Sequence, residues 1–163
     1  MASSLLKPQL SKYSRRLPRV DDLASRFDVV TFDCYGTLID WEPGMTQAFA
    51  EASAAEGVQL DPGEVLRVLF DMRPAAELPE YQTYRDRLTD AALRVGQRLG
   101  WRISRERAAF FPESLARWEP FPDTNPALYR LRDAGYVLAI LSNVDDDLLA
   151  GTLRHFTVPF EFR

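Results

Sequence analysis

Apolar residues are arranged along this chain in two different ways. Val29-Val30-Thr31-Phe32 and Tyr136-Val137-Leu138-Ala139-Ile140-Leu141 are short unbroken runs rich in β-branched and aromatic side chains. That pattern predicts strands covered on both faces, as in a parallel sheet. The first run ends at Asp33 and a tight turn, Cys34-Tyr35-Gly36-Thr37, and the second ends at Ser142-Asn143. Between them the spacing is helical: it predicts helices over Met45–Glu56, Pro62–Asp71, Tyr81–Leu99 and Ser104–Trp118, with breaks at Gly57, the Pro74–Pro79 stretch and Gly100. A further helix precedes the second strand, with Asn125 as N-cap, Pro126 at the first helical position, Leu128 and Leu131 on one face and Gly135 as the stop. After the strand, Asp145-Asp146-Asp147 reads as acids opening a last helix through Leu148, Leu149 and Leu153, with His155 near its C-terminal end.

Helix followed by buried strand is half of an α/β crossover unit. The insert between the strands, roughly 75 residues, far exceeds an ordinary connection of about a dozen. The expected organisation is therefore an α/β core from residues 28–40 and 119–163, a helical cap over 41–118, and a basic extension over 1–27. No internal repeat or low-complexity segment interrupts it.

Composition narrows the class. In 163 residues, 46% are hydrophobic, 27% charged and 12% aromatic, which excludes collagen, low-complexity disorder and coiled coil. No apolar run approaches the ~18 residues of a membrane span. A single cysteine, Cys34, and a single histidine, His155, leave no internal disulfide and no multi-cysteine or histidine-rich metal site. Both lysines, Lys7 and Lys12, precede the first strand, so a mechanism needing a lysine in the folded body lacks it. Residues 1–27 carry a local charge of +4 within a chain of net −4. Basic residues and serines without an acid before Asp21 resemble a mitochondrial transit peptide, but Pro8 and Pro18 interrupt any long amphipathic helix. The expectation is a cytoplasmic protein with a flexible extension, a mitochondrial one being the alternative. The acidic body lacks the clustered Lys and Arg of a phosphate-backbone interface, so neither nucleic acid nor membrane is an expected partner.

Ligands of open α/β sheets sit beyond the carboxyl ends of the strands. Asp33 and Ser142 both occupy that position, so neighbouring pairing of their strands would bring them together. A carboxylate can attack an electrophilic carbon or phosphorus and form a covalent ester or acyl phosphate. Backbone amides of the Cys34–Thr37 turn and the Ser142 and Asn143 side chains could hold the developing negative charge. Spacing alone leaves the plainer readings open, with Asp33 as a turn or helix cap and Ser142-Asn143 as a loop capping the next helix.

The segment Val29–Asp40, hydrophobic strand then Asp33-Cys34-Tyr35-Gly36-Thr37-Leu38, resembles the first signature of the haloacid dehalogenase superfamily, and Leu138–Asn143 resembles its second, hydrophobic strand then Ser or Thr. The helical insert lies where that superfamily carries its cap. The resemblance implies an α/β Rossmann-like parallel core with Asp33 as nucleophile. Position 35 sorts the branches: phosphatases of the superfamily keep there an aspartate that protonates the leaving alcohol, and Tyr35 does not readily replace it. An aromatic at that place, with Ser142-Asn143, is similar to the L-2-haloacid dehalogenases, whose halide leaves without a proton. By that resemblance Asp33, Ser142 and Asn143 are catalytic, Tyr35, Gly36 and Thr37 bind substrate, and no cofactor is needed. Packing against the cap is a second role for Tyr35. Arg73 lies where a cap arginine would take the substrate carboxylate and the halide, although the Pro74–Pro79 stretch departs from the family pattern and a solvated helix-end arginine fits equally. The alternative is a phosphatase using Mg²⁺ on Asp33, with Asp40 or Glu42 as substitute proton donor.

The superfamily pattern also implies a lysine after the second motif and an acidic loop beyond it. Neither occurs before Arg163, and Phe160-Glu161-Phe162-Arg163 looks like a strand beginning. The expectation is either a fragment of a longer enzyme, or a shortened relative acting as a non-catalytic interaction module. Half a sheet would leave the Asp33 strand with an open edge, poor stability and scope for homodimer formation. Other chemistries fail: no arginine follows Cys34 to close a phosphate loop, and no Gly-x-Ser-x-Gly, Gly-x-Gly-x-x-Gly or P-loop is present. His155 suits a helix C-terminus better than a base.

Overall fold

A computed structural model of the chain describes residues 27–72 and 81–162. Arg73, the Pro74–Pro79 stretch and the basic extension through Arg26 lie outside the described residues. The two apolar runs become β1 (Val29–Phe32) and β2 (Val137–Ile140), paired in parallel with Val29 opposite Val137 and Phe32 opposite Ile140. Backbone bonds frame the pair: Val137 N–H donates to Asp28 O and Leu141 N–H to Phe32 O, both at 2.8 Å. On the far side of β2, Phe162 bridges Ala139 in parallel, with Ile140 N–H donating to Phe162 O and Glu161 N–H to Leu138 O, each 2.9 Å.

β2 is therefore interior, and Leu138, Ala139 and Ile140 are buried. β1 corrects the expectation of a strand covered on both faces. Val29 and Thr31 are exposed while Val30 and Phe32 are half-buried, because β1 pairs on one edge only among the described residues and nothing there covers the Val29 face.

The helical insert supplies α1 (Trp41–Ala54), α2 (Pro62–Asp71), α3 (Tyr84–Leu99), α4 (Arg105–Ala108) and α5 (Phe110–Ser114), then a 3₁₀ turn over Leu115–Arg117. α1 starts four residues before the predicted Met45, because Pro43 is tolerated in a first turn, where its missing N–H has no partner to lose. α3 starts at Tyr84 and not at Tyr81, since Thr83 caps it: the Thr83 hydroxyl accepts from Asp86 N–H at 3.1 Å and bonds the Asp86 carboxylate at 2.8 Å. The predicted helix Ser104–Trp118 is broken near Pro112, which cannot donate to the turn before it. α6 (Thr124–Asp133) has Asp123 as its N-cap position, so Asn125 is not the cap. Its side chain instead donates to His155 O at 2.9 Å and accepts from Thr157 N–H at 3.0 Å. α7 (Asp146–Thr152) and a 3₁₀ turn, Leu153–His155, follow β2.

Inside the insert, α1 packs on α2 and α5, and α3 packs on α2, α4 and α5. Phe49 of α1 meets Phe110 and Phe111 of α5 at centroid distances of 5.1 and 4.9 Å. Trp118 is fully buried and donates its indole N–H to Ser114 Oγ at 3.0 Å. The two ends of the insert lie side by side: Ile39 bridges Pro120 antiparallel, Asp40 N–H donates to Glu119 O at 2.9 Å, and the buried Thr124 hydroxyl donates to Leu38 O at 2.8 Å. Exit and return are thus pinned together beside the β1 turn by bonds that offset a loop-closure cost growing only slowly with the length of the insert.

α1 approaches Trp118 at Gly44, where a Cβ would overlap the indole ring. Gly44→Ala is expected to lower stability by ~1–3 kcal/mol, read by urea unfolding, because overpacking against a fixed ring outweighs the higher helix propensity of alanine.

Candidate active site

Asp33 follows the last residue of β1, and Ser142-Asn143 follow β2 by one further residue, so parallel register brings both to the same end of the sheet. Asp33 and Asn143 are exposed and Ser142 is half-buried. After Asp33 the chain winds tightly on the Cys34 carbonyl, which accepts from Leu38 N–H at 2.8 Å and Ile39 N–H at 3.0 Å. Gly36 N–H returns to Ile39 O at 2.9 Å. Gly36 has φ +91°, and a Cβ there would stand 2.9 Å from Trp41 Nε1; backbone conformation and lack of space both require glycine. Gly36 and Thr37 stay exposed at the mouth of this turn.

Tyr35 turns inward. Its ring stacks on Tyr84 of α3 at 6.3 Å and meets Trp118 edge-on at 5.9 Å. Its hydroxyl shares a 2.8 Å hydrogen bond with Thr152 Oγ1, a fully buried group on α7. One side chain two residues after Asp33 thus touches the insert at Tyr84 and at its last residue, Trp118, and the helix after β2.

The acids after Asn143 divide their work. Asp146 and Asp147 occupy the first turn of α7, as the pattern predicts, but Asp145 does not cap its own helix. Its carboxylate accepts from Tyr84 N–H at 3.2 Å and Arg85 N–H at 2.9 Å, the opening of α3, and Arg85 pairs with Asp147 at 2.5 Å. His155 stands in the closing 3₁₀ turn, with Nε2 bonded to Ala116 O at 2.8 Å. Asp40 precedes α1 and lines a groove of ≈ 420 Å³ with Gln47, Arg117, Trp118 and Glu119, and Asp33 is not among its lining residues. Glu42 lies in the first turn of α1. Arg73 lies outside the described residues.

The sequence reading missed Tyr84, Trp118, Thr152 and Asp145. Thr83-x-x-Asp86 was a usable signal for a helix beginning at Tyr84. Nothing local announces the other three, because each acts through a partner distant in sequence.

Electrostatically the turn favours neutral groups. Burial, helped by the Asp33 charge, pushes the Cys34 thiol up to about 12. Burial also raises the Tyr35 phenol, against the lowering effect of the Thr152 bond. Tyr84 is raised by burial and by Asp33 and Cys34, while Arg87 opposes. All three stay protonated at neutral pH. In the unfolded chain the thiol and phenol ionise near their ordinary 9.0 and 10.0. The native state then holds more protons than the unfolded one across that window. Stability is therefore expected to be level up to pH ~9 and to fall above it, with a shallower fall in Cys34→Ala, as checked by urea unfolding from about pH 8 to 10.5.

Against known proteins, the family model described as haloacid dehalogenase-like hydrolase matches residues 27–161. A search of curated proteins finds no match. Among solved structures, a defluorinating L-2-haloacid dehalogenase aligns with a TM-score of 0.72 at 20% identity, covering 84% of this chain and 60% of that one. A second L-2-haloacid dehalogenase aligns with a TM-score of 0.62 at 22% identity, covering 83% and 60%. The L-2-haloacid dehalogenase from Xanthobacter autotrophicus aligns with a TM-score of 0.64 at 25% identity, covering 83% and 55%. The chain thus spans 55 to 60% of the length of these structures, and at identities this low the likeness is one of fold. With a family match running from Phe27 through the Asp33 turn and the second strand to Glu161, on a helix-capped parallel α/β fold, this chain belongs to the haloacid dehalogenase-like hydrolases.

Proposed function

We propose that the protein is a hydrolase of the 2-haloacid dehalogenase type, in which Asp33 is the nucleophile toward a small acid bearing a leaving group at carbon 2. The observation that carries this reading is the fate of Tyr35. A phosphatase of this architecture needs a proton donor beside the nucleophile for a leaving alkoxide, whereas halide leaves without one. Tyr35 occupies that place with its hydroxyl bonded to Thr152 and its phenol raised by burial, so it offers no acid to a leaving group.

The chemistry balances with the groups at hand. An Asp33 carboxylate oxygen attacks carbon 2, the carbon–halogen bond breaks with its electron pair leaving on the halide, and the carbon inverts. Water then attacks the ester carbonyl of Asp33, releasing a 2-hydroxy acid and restoring the carboxylate, with one proton passing to solvent. Ser142 and Asn143 serve as hydrogen-bond donors at the strand ends and Thr37 presents its hydroxyl at the turn, while Gly36, whose own N–H goes to Ile39 O, leaves room for substrate beside Asp33. Arg73 is proposed to take the substrate carboxylate, where a bidentate fork is the fitting chemistry. Cys34 is buried, with a thiol pushed up to about 12, and takes no part as a nucleophile.

Magnesium belongs to the phosphatase alternative, in which Asp33 would be its carboxylate ligand beside water and substrate phosphate.

Halide release from 2-chloropropanoate and phosphate release from a generic phosphomonoester, each with and without EDTA, test the proposal on this chain and on any longer product of its gene. The expected result is EDTA-insensitive halide release that falls at least about 10³-fold in Asp33→Asn. Magnesium-dependent phosphate release without halide release would overturn it. Equal activity in the variant would remove Asp33 from the mechanism.

A further inference from the structure

Asp145 lies on the loop that carries Ser142 and Asn143, yet its hydrogen bonds go to the helical insert. The first three helical residues of α3, Tyr84, Arg85 and Asp86, have backbone N–H groups with no partner inside the helix. Each is accounted for: Tyr84 and Arg85 donate to the two oxygens of Asp145 and Asp86 donates to Thr83 Oγ1, and the helical ladder begins with Arg87 N–H on Thr83 O at 3.1 Å. Two of these three bonds therefore come from a residue some 60 positions away, on the other side of the candidate site. A carboxylate on two amides at a helix N-terminus is favoured by hydrogen bonding and by the helix dipole together. The neighbouring Arg85–Asp147 pair is exposed at both ends, so solvent screens it and its contribution is small.

These bonds close a circuit. β1 leads to Asp33 and, two residues on, to Tyr35; Tyr35 stacks on Tyr84; Tyr84 N–H is held by Asp145; Asp145 follows Ser142 and Asn143 out of β2; and β2 pairs with β1. The Tyr35–Tyr84 stack has no polar bond of its own to fix its geometry, because the Tyr35 hydroxyl is engaged behind it by Thr152. We infer that Asp145 is a positioning residue: by capping α3 from the Ser142–Asn143 loop it sets Tyr84 against Tyr35 and fixes the aromatic wall beside Asp33. This role rests on the proposed reaction only in its catalytic consequence, since the wall itself can be observed without substrate.

The test compares Asp145→Ala, Asp145→Glu and Asp147→Ala with the parent chain by NMR. In D145A the nuclear Overhauser contact between the Tyr35 and Tyr84 rings is expected to vanish while the Tyr35–Trp118 contact persists. Exchange of the Tyr84 and Arg85 amides should quicken about five- to tenfold, with the rest of α3 unchanged. D145E, which keeps a carboxylate, should restore the ring contact, and D147A should leave both signals as in the parent. In the halide-release assay D145A is expected to lower kcat about tenfold with KM changed less than about twofold. An unchanged ring contact in D145A, uniform loss of protection along α3, or equal damage from D147A would each overturn the role. Absence of halide release from the parent would count against the functional reading alone, because the ring contact and amide exchange decide the role of Asp145 independently.

Discussion

Leu141 donates its backbone N–H to the Phe32 carbonyl across 2.8 Å, the last rung of a parallel ladder that begins with Val137 and Asp28. That register brings two segments more than a hundred residues apart to a common edge. Because side chains in a strand alternate between faces, a shift of one residue would turn Asp33 to the opposite side of the sheet. The rest of the site depends on this pairing: the Cys34 turn can wind only where β1 stops, and the Ser142 loop departs where β2 stops.

The helical insert would defeat that register if its ends were free to wander. They are not, because the Ile39–Pro120 bridge and the Thr124 bond to Leu38 O tie exit to return within a few residues of Asp33. The aromatic contacts of Tyr35 then carry the constraint outward to Tyr84, Trp118 and Thr152. A tyrosine suits this post better than phenylalanine would, since its hydroxyl meets a threonine oxygen that burial would otherwise leave with little to bond.

The chemistry follows from which groups this packing leaves charged. Burial holds the Cys34 thiol and the Tyr35 and Tyr84 phenols neutral, while Asp33 stays exposed at the strand end. In the proposed reaction, a carboxylate flanked by groups that do not give up protons suits displacement of a good leaving group far better than protonation of a poor one.

Much of this was legible in the sequence. Unbroken apolar runs ending at Asp33 and at Ser142-Asn143 marked the strands, and Cys34-Tyr35-Gly36-Thr37 marked a tight turn, since these are signals each residue carries by itself or with immediate neighbours. The sequence also determined that Tyr35 stands two places after the carboxylate, the position on which the proposed reaction rests. It misjudged the burial of β1, because an apolar run states what could be covered and not what is there to cover it. It assigned Asn125 to the cap of its own helix and grouped Asp145 with the acids opening the next one, since cap rules compare only residues three or four apart. Only the tertiary structure decided that Asn125 reaches His155 and Thr157, that Asp145 caps α3, and that Tyr35 lies between Tyr84 and Trp118. Those partners are joined by folding of the whole chain, and a carboxylate or amide satisfies its hydrogen bonds with whichever donor or acceptor the packing brings near.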